Sequence, residues 1–285
     1  MYTTLISAPE LIALQRGSVP TLVFDCSFDL ANPSAGQVQY EEQHIRGAWR
    51  ADLNRHLSAA GDSPADGRHP LPARADFAAW LGRTGLTPGH QVVVYDRQGV
   101  NFCGRLWWML QWMGHEAVAV LDGGFPAWLA AGGATGSGSG PDPVPDAAPY
   151  PAREPLATTI DTAPLAARVG TVGLTVIDAR ATARFRGEVE PLDPVAGHIP
   201  GALNRPFTDN LLPDGCFKSR EQLRAEFDAL LAGRDPASVV HQCGSGVSAL
   251  PNLRAMELAG LGRAVLYPGS WSAWCNTSGT PRARG

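Results

Sequence analysis

Residues 239–249 read Val239-Val240-His241-Gln242-Cys243-Gly244-Ser245-Gly246-Val247-Ser248-Ala249. A β-branched run ends directly at Cys243, as a fully buried strand would. Small residues follow, and then a helical stretch over 247–259. Two glycines let the backbone curl tightly and aim successive N–H groups inward. The helix adds the positive end of its dipole. Pro251 suits a helix start, where its missing N–H is not needed. Such a cradle stabilises a thiolate or a sulfur-bound anion. An arbitrary cysteine in a strand-to-helix turn is more often buried and inert, but the Gly-x-Gly turn after the strand end points to function.

Working outward, the same pattern occurs twice in order. The first half carries LVFDCS (22–27), HIRGA (44–48), VVVYD (92–96) and LDGGFPAW (121–128). The second carries TVIDAR (175–180), HIPGA (198–202), VVHQC (239–243) and YPGSWSAW (267–274). From Asp25 to Asp178, His44 to His198, Asp96 to Cys243 and Trp128 to Trp274 the offsets are 153, 154, 147 and 146 residues. That drift is what loop-length changes produce, and it marks an internal duplication. Short β-branched runs alternate with helical stretches at 75–82, 102–113, 219–231 and 247–259, with Asp76 and Ser219 as expected N-caps. The expected fold class is α/β: two similar domains, each a mostly parallel sheet flanked by helices on both faces. Gly132–Pro155 is rich in Gly, Ser and Pro, so residues 133–157 are expected to link domain 1–132 to domain 158–285. Trp107, Trp108, Leu110, Trp112 and Met113 read as a packing helix, and Gly136–Gly140 as linker rather than phosphate loop.

Composition excludes other classes. A chain of 285 residues suits roughly two domains. A net charge of −4 without a Lys/Arg block leaves no footprint for nucleic acid. No run approaches the roughly 18 apolar residues a membrane helix needs, and the N-terminus lacks the basic and apolar regions of a signal peptide. The cysteines, Cys26, Cys103, Cys216, Cys243 and Cys275, are odd in number and widely spaced, against a disulfide framework or a zinc site. A reducing, cytoplasmic setting is expected, with no metal or organic cofactor and no membrane or nucleic-acid partner.

The paired motifs, the Cys243 loop, the run Arg184-Phe185-Arg186-Gly187 and the segment Gly269-Ser270-Trp271-Ser272-Ala273-Trp274 resemble the tandem-domain rhodanese-family sulfurtransferases over essentially the whole chain. The loop is most similar to the 3-mercaptopyruvate type, because no basic residue follows the cysteine as in thiosulfate-preferring members. The resemblance implies that the Cys243 thiolate takes sulfur from 3-mercaptopyruvate, or thiosulfate, as a persulfide and passes it to cyanide or a thiol, thioredoxin among them. It assigns Gly244, Gly246, Val247 and Ser248 to the cradle around the transferred sulfur. Arg184 takes the place of an arginine that binds the donor carboxylate, a role for which a guanidinium fork is suited. Arg186 is its assistant, though a surface arginine is the plainer reading. Arg180 resembles an architectural partner of Asp178. His69, in His69-Pro70-Leu71-Pro72, corresponds to a histidine that joins the loop serine, here Ser245, and an acid whose place holds Asn54 with Asp52 nearby. A loop histidine near Asp66 and Arg68 is the alternative, and the pairing of His69 with Ser245 is preferred to it. One departure stands out: a second carboxylate-binding arginine expected nine residues after Arg184 is replaced by Asp193, within the acidic segment 188–194.

Asp96 replaces the cysteine in the first half, so that half is expected to be chemically silent. A cysteine phosphatase is disfavoured, since its loop needs an arginine six residues after the cysteine and Ala249 stands there. A non-catalytic binding module has no reason to keep a thiol within a donor nest, and a redox sensor would use the same thiolate. His241 shares a strand face with Cys243, where a satisfied interior histidine is the plainer reading than a tuning group.

Overall fold

The computed structural model describes all 285 residues. They form two compact units: residues 1–59, 72–157 and 213–216 in the first, and residues 60–71, 158–212 and 217–285 in the second. The first unit holds strands β1 (Leu5–Ile6), β2 (Thr21–Asp25), β3 (His44–Ile45), β4 (Trp49–Arg50), β5 (Gln91–Tyr95), β6 (Val118–Leu121) and β7 (Thr135–Gly136). Its helices are α1 (Ala8–Arg16), α2 (Ala35–Glu42), α3 (Arg74–Arg83), α4 (Cys103–Trp112) and α5 (Gly124–Ala130). The second unit holds β8 (Thr175–Asp178), β9 (Leu203–Asn204), β10 (Val239–Gln242) and β11 (Val265–Leu266). Its helices are α6 (Thr162–Ala166), α7 (Thr182–Arg186), α8 (Arg220–Leu231), α9 (Leu250–Leu258) and α10 (Ser270–Asn276).

Both units are α/β with a parallel sheet flanked by helices. The strand orders are β1-β6-β5-β2-β4 and β11-β10-β8-β9. The central pair matches in register: Asp25 lies opposite Tyr95, and Asp178 opposite Gln242. All five residues of β5 and all four of β10 are buried, which is why they read as continuous apolar runs rather than alternating ones. Chain crossovers of this kind bring ligands to the ends of strands where helices begin. In the first unit that place is the turn after β5, at Asp96, and in the second the turn after β10, at Cys243.

Local chemistry explains some element ends. Ser219 caps α8, accepting from the Gln222 amide at 3.3 Å while the Gln222 side chain accepts from the Ser219 amide at 3.1 Å. The cap of α3 is Ala73, not Asp76, and Asp76 lies in the first helical turn, where its charge favours the dipole. α9 starts at Leu250, later than periodicity suggests, and leaves residues 244–249 as loop. Trp107 and Trp108 are fully buried, as packing residues. The Gly/Pro-rich stretch runs along the first unit: β7 pairs with β3, and the amides of Val144, Tyr150 and Arg153 donate to the carbonyls of Arg83, Ala78 and Met113. No helix is long and apolar enough to cross a membrane.

Candidate active site

The duplication extends to atomic detail. His44 stacks on Tyr40 at 4.1 Å and bonds its carbonyl, and His198 stacks on Phe185 at 3.9 Å and bonds its carbonyl. The Asp96 carbonyl accepts from the Phe125 amide at 3.0 Å; the Cys243 carbonyl accepts from the Trp271 amide at 3.0 Å. Asp96 and Cys243 therefore hold the same place at the same turn.

What surrounds them differs. The Asp96 carboxylate accepts four backbone N–H bonds: from Gln98 and Val100 on Oδ1, both at 2.9 Å, and from Phe102 and Cys103 on Oδ2, at 2.8 and 2.9 Å. Burial pushes its pKa up, and the amides pull the other way. In the second unit the amides of Gly244, Ser245, Val247 and Ser248 donate to no backbone carbonyl. The turn is held from outside instead: the Ser272 amide donates to the Gly244 carbonyl at 2.9 Å, and the Cys243 amide donates to Ser270 Oγ at 3.1 Å. Gly246 has φ +73°, and a Cβ there would lie 2.4 Å from the Pro268 carbonyl oxygen, so only glycine fits. Cys243 itself is 2% exposed, a setting that keeps bulk water from its sulfur.

The segment 60–71, distant in sequence, is built into this unit. Its short helical turn, Pro64–Asp66, packs on α10. The Arg68 amide donates to Ser272 Oγ at 3.0 Å. Gly67 has φ +88°, and a Cβ there would press on the Gly269 carbonyl oxygen at 2.9 Å. His69 is buried, and its Nδ1 lies 2.8 Å from Ser245 Oγ. The structure thus brings His69, Ser245 and Cys243 into one unit. The Asp52 carboxylate accepts from Arg50 Nη2 and from the amides of Asn54 and Arg55 within the first unit.

A chain of alternating charges borders the loop. Asp178 takes Arg180 through Nε and Nη2; Arg180 Nη1 reaches Glu190 at 3.3 Å; Glu190 Oε1 accepts from Arg184 Nη2 at 2.6 Å. Asp193 then bridges two arginines, accepting from Arg184 Nη2 at 3.3 Å and Arg68 Nη2 at 2.5 Å. Burial opposes the charge on Glu190, but Arg184 and the amides of Leu192 and Asp193 outweigh it and hold the carboxyl below its ordinary value. Arg180 sits 4.8 Å over the Trp271 ring. Its partner arrangement reappears in the first unit with a different residue, Arg97, which bonds Asp25 at 2.7 Å and sits 4.1 Å over Phe125.

Two candidates stand apart. Arg186 is turned to solvent, 56% exposed, and faces Glu188 at 3.8 Å. His241 is fully buried with Nε2 against Met256 Sδ at 3.0 Å, but Nδ1 has no partner, so it is only half satisfied. Burial, followed by the Arg205 charge, lowers its pKa to about 3, so it is neutral near pH 7 and offers no positive charge to a thiolate. Arg68 and Glu190 are the neighbours that sequence reasoning did not single out. The only signal for Arg68 was its position next to His69.

Comparison with known proteins places these features. The rhodanese-like domain profile matches twice, over residues 7–131 and 161–277. The chain is 48% identical over 283 residues to a Pseudomonas aeruginosa protein named "Probable 3-mercaptopyruvate sulfurtransferase", covering 99% of this chain and 98% of that protein. It is 32% identical to a mouse thiosulfate sulfurtransferase, covering 96% and 92%. The crystal structure of an Escherichia coli protein of the 3-mercaptopyruvate sulfotransferase group superposes with a TM-score of 0.79 at 27% identity, covering 95% and 99%.

Proposed function

The chain belongs to the rhodanese-like family as a tandem sulfurtransferase of the 3-mercaptopyruvate type, and from that premise we propose that it moves a sulfane sulfur from 3-mercaptopyruvate through a persulfide on Cys243 to a thiol or cyanide. The Cys243 thiolate attacks the donor sulfur. The carbon–sulfur bond breaks, its electron pair leaves as the enolate of pyruvate, and a proton completes pyruvate. Ser245, hydrogen-bonded to His69, is the group positioned to help deliver that proton. In the second half-reaction an acceptor sulfur or the cyanide carbon attacks the outer sulfur. The sulfur–sulfur bond breaks, and the Cys243 thiolate is restored. A protein dithiol such as thioredoxin serves as an acceptor in the same way.

One observation carries this reading: four loop amides, of Gly244, Ser245, Val247 and Ser248, have no backbone acceptor, whereas the matching turn of the first unit is filled by Asp96. Free, preorganised donors beside a thiol suit a site that must hold a sulfur anion before and after transfer. Thiosulfate is the competing donor. The bordering charges disfavour it, because Arg68, Arg180 and Arg184 are matched by Asp178, Glu190 and Asp193, a poor surplus for a dianion.

The direct test is intact-mass measurement after incubation with each donor. Mercaptopyruvate is expected to add about 32 Da at Cys243, as capture of one sulfur requires, with no adduct on Cys243→Ser. Addition from neither donor overturns the reading, and addition from thiosulfate alone overturns the donor assignment.

A further inference from the structure

We propose that Arg68 is the second guanidinium of the donor-carboxylate site, supplied from the segment 60–71 where the sequence offers an acid at position 193, and that Asp193 positions it. The inference rests on the reading that the donor carries a carboxylate.

Three observations converge on Arg68. A Cβ on Gly244 would lie 3.5 Å from Arg184 Nη1 and 3.7 Å from Arg68 Nη1, so both guanidinium groups reach the residue next to the reactive sulfur. Those two nitrogens are therefore no more than about 7 Å apart, a gap one carboxylate spans by accepting from each side. The remaining contacts of the two arginines are on other atoms: Glu190 and Asp193 hold Arg184 through Nε and Nη2, and Asp193 holds Arg68 through Nη2. Both Nη1 atoms thus face the loop without an acid partner, while Arg184 Nη2, also 3.7 Å from that Cβ position, and Arg68 Nη2 are held by Glu190 and Asp193.

This assigns Asp193 a role opposite to that of the arginine it replaces. It binds no donor. With its side chain 4% exposed, it ties the two cations together against their mutual repulsion. The backbone around Arg68 is held close to α10: its amide donates to Ser272 Oγ, and at Gly67 there is no room for a Cβ beside the Gly269 carbonyl. A side chain so fixed loses less freedom on binding a planar anion than a free surface arginine would.

The experiment compares 3-mercaptopyruvate with mercaptoacetone, which keeps the ketone and the thiol and lacks the carboxylate. In Arg68→Ala the KM for mercaptopyruvate is expected to rise by about ten- to a hundredfold with kcat changed by less than about threefold, the pattern of lost uniform binding. The loss on mercaptoacetone is expected to stay within about threefold, and Arg68→Lys to recover only part of the affinity, since an ammonium keeps the charge without the fork. Titration of pyruvate into Cys243→Ser, and into Cys243→Ser with Arg68→Ala, reads the same site without turnover. Pyruvate binding that weakens about tenfold or more with Arg68 removed supports the assignment even if sulfur transfer from mercaptopyruvate fails. Equal losses on both donors, or pyruvate binding that ignores Arg68, overturns it. A Cys243 adduct that never forms in the parent protein instead points at the donor reading.

Discussion

Asp96 and Cys243 occupy the same turn of a duplicated domain, and the two turns solve one electrostatic problem in opposite ways. A strand that ends in a tight loop before a helix aims several N–H groups at one point. In the first unit the chain supplies its own anion, and the Asp96 carboxylate collects four of these donors. In the second unit a neutral-sized thiol stands at that point and four amides go without a backbone acceptor. A filled nest is a structural element; an open one is a site for a visiting anion. The difference teaches that the first turn lacks open donors as well as a sulfur, because its amides are already satisfied by Asp96.

The largest break in the comparison comes from replacing the thiol. Cys243→Asp copies the first turn into the second, and is expected to fold while losing sulfur transfer by at least about 10³-fold, since no nucleophile remains; a steady-state assay reads this, and thermal unfolding checks that the fold survives. Next, Asp96→Asn removes the charge that four amides share and turns an N–H₂ group toward donors. It is expected to cost about 2–4 kcal/mol in urea unfolding, and no loss would show that the first nest is indifferent to its anion. Ser245→Ala is expected to lower kcat for mercaptopyruvate by about 10²-fold with little change in the yield of persulfide at long times, if the Ser245–His69 pair serves proton delivery. Asp193→Asn loosens the pair of guanidiniums and is expected to raise KM about three- to tenfold with kcat nearly constant.

The smallest effect is in pH. Glu190 is held below its ordinary value in the folded chain, so the charged form is favoured by folding. Its stabilisation is fully present above the ordinary glutamate range and is lost as pH falls through the lowered folded value. Urea unfolding midpoints of the parent and Glu190→Gln, measured at successive pH values, are therefore expected to converge as pH falls below that range. His241, neutral down to about pH 3, is expected to leave no inflection in the pH–rate profile between pH 5 and 8, and a His241→Asn profile of the same shape checks it.

Much of this was legible in the chain. The repeat, the buried central strands, the Ser219 cap and the packing role of Trp107 and Trp108 follow from periodicity and turn chemistry. So does the Cys243 turn, because its glycines and the following proline announce a strand–loop–helix joint. The cap of α3 differs from the expected one: Asp76 has the right chemistry for an N-cap, but the backbone enters the helix three residues earlier, at Ala73. α9 begins at Leu250 and not at 247: its N-cap is Ala249, whose carbonyl accepts from the Leu253 amide, and the Val247 carbonyl accepts a tighter turn bond from Leu250. Arg186, whose plainer reading is a surface arginine, faces solvent, while Arg184 is tied to Glu190 and Asp193.

The sequence by itself determined two α/β repeats and a thiol at the mouth of one strand, because such features are written in contacts between residues a few positions apart. Only the tertiary structure decided that Arg68 stands beside Arg184, that Asp193 bridges them across 125 and 9 positions, and that Asp96 fills its own nest. Those outcomes depend on which distant segments the packed core brings together, and charge or residue type along the chain carries no measure of that distance.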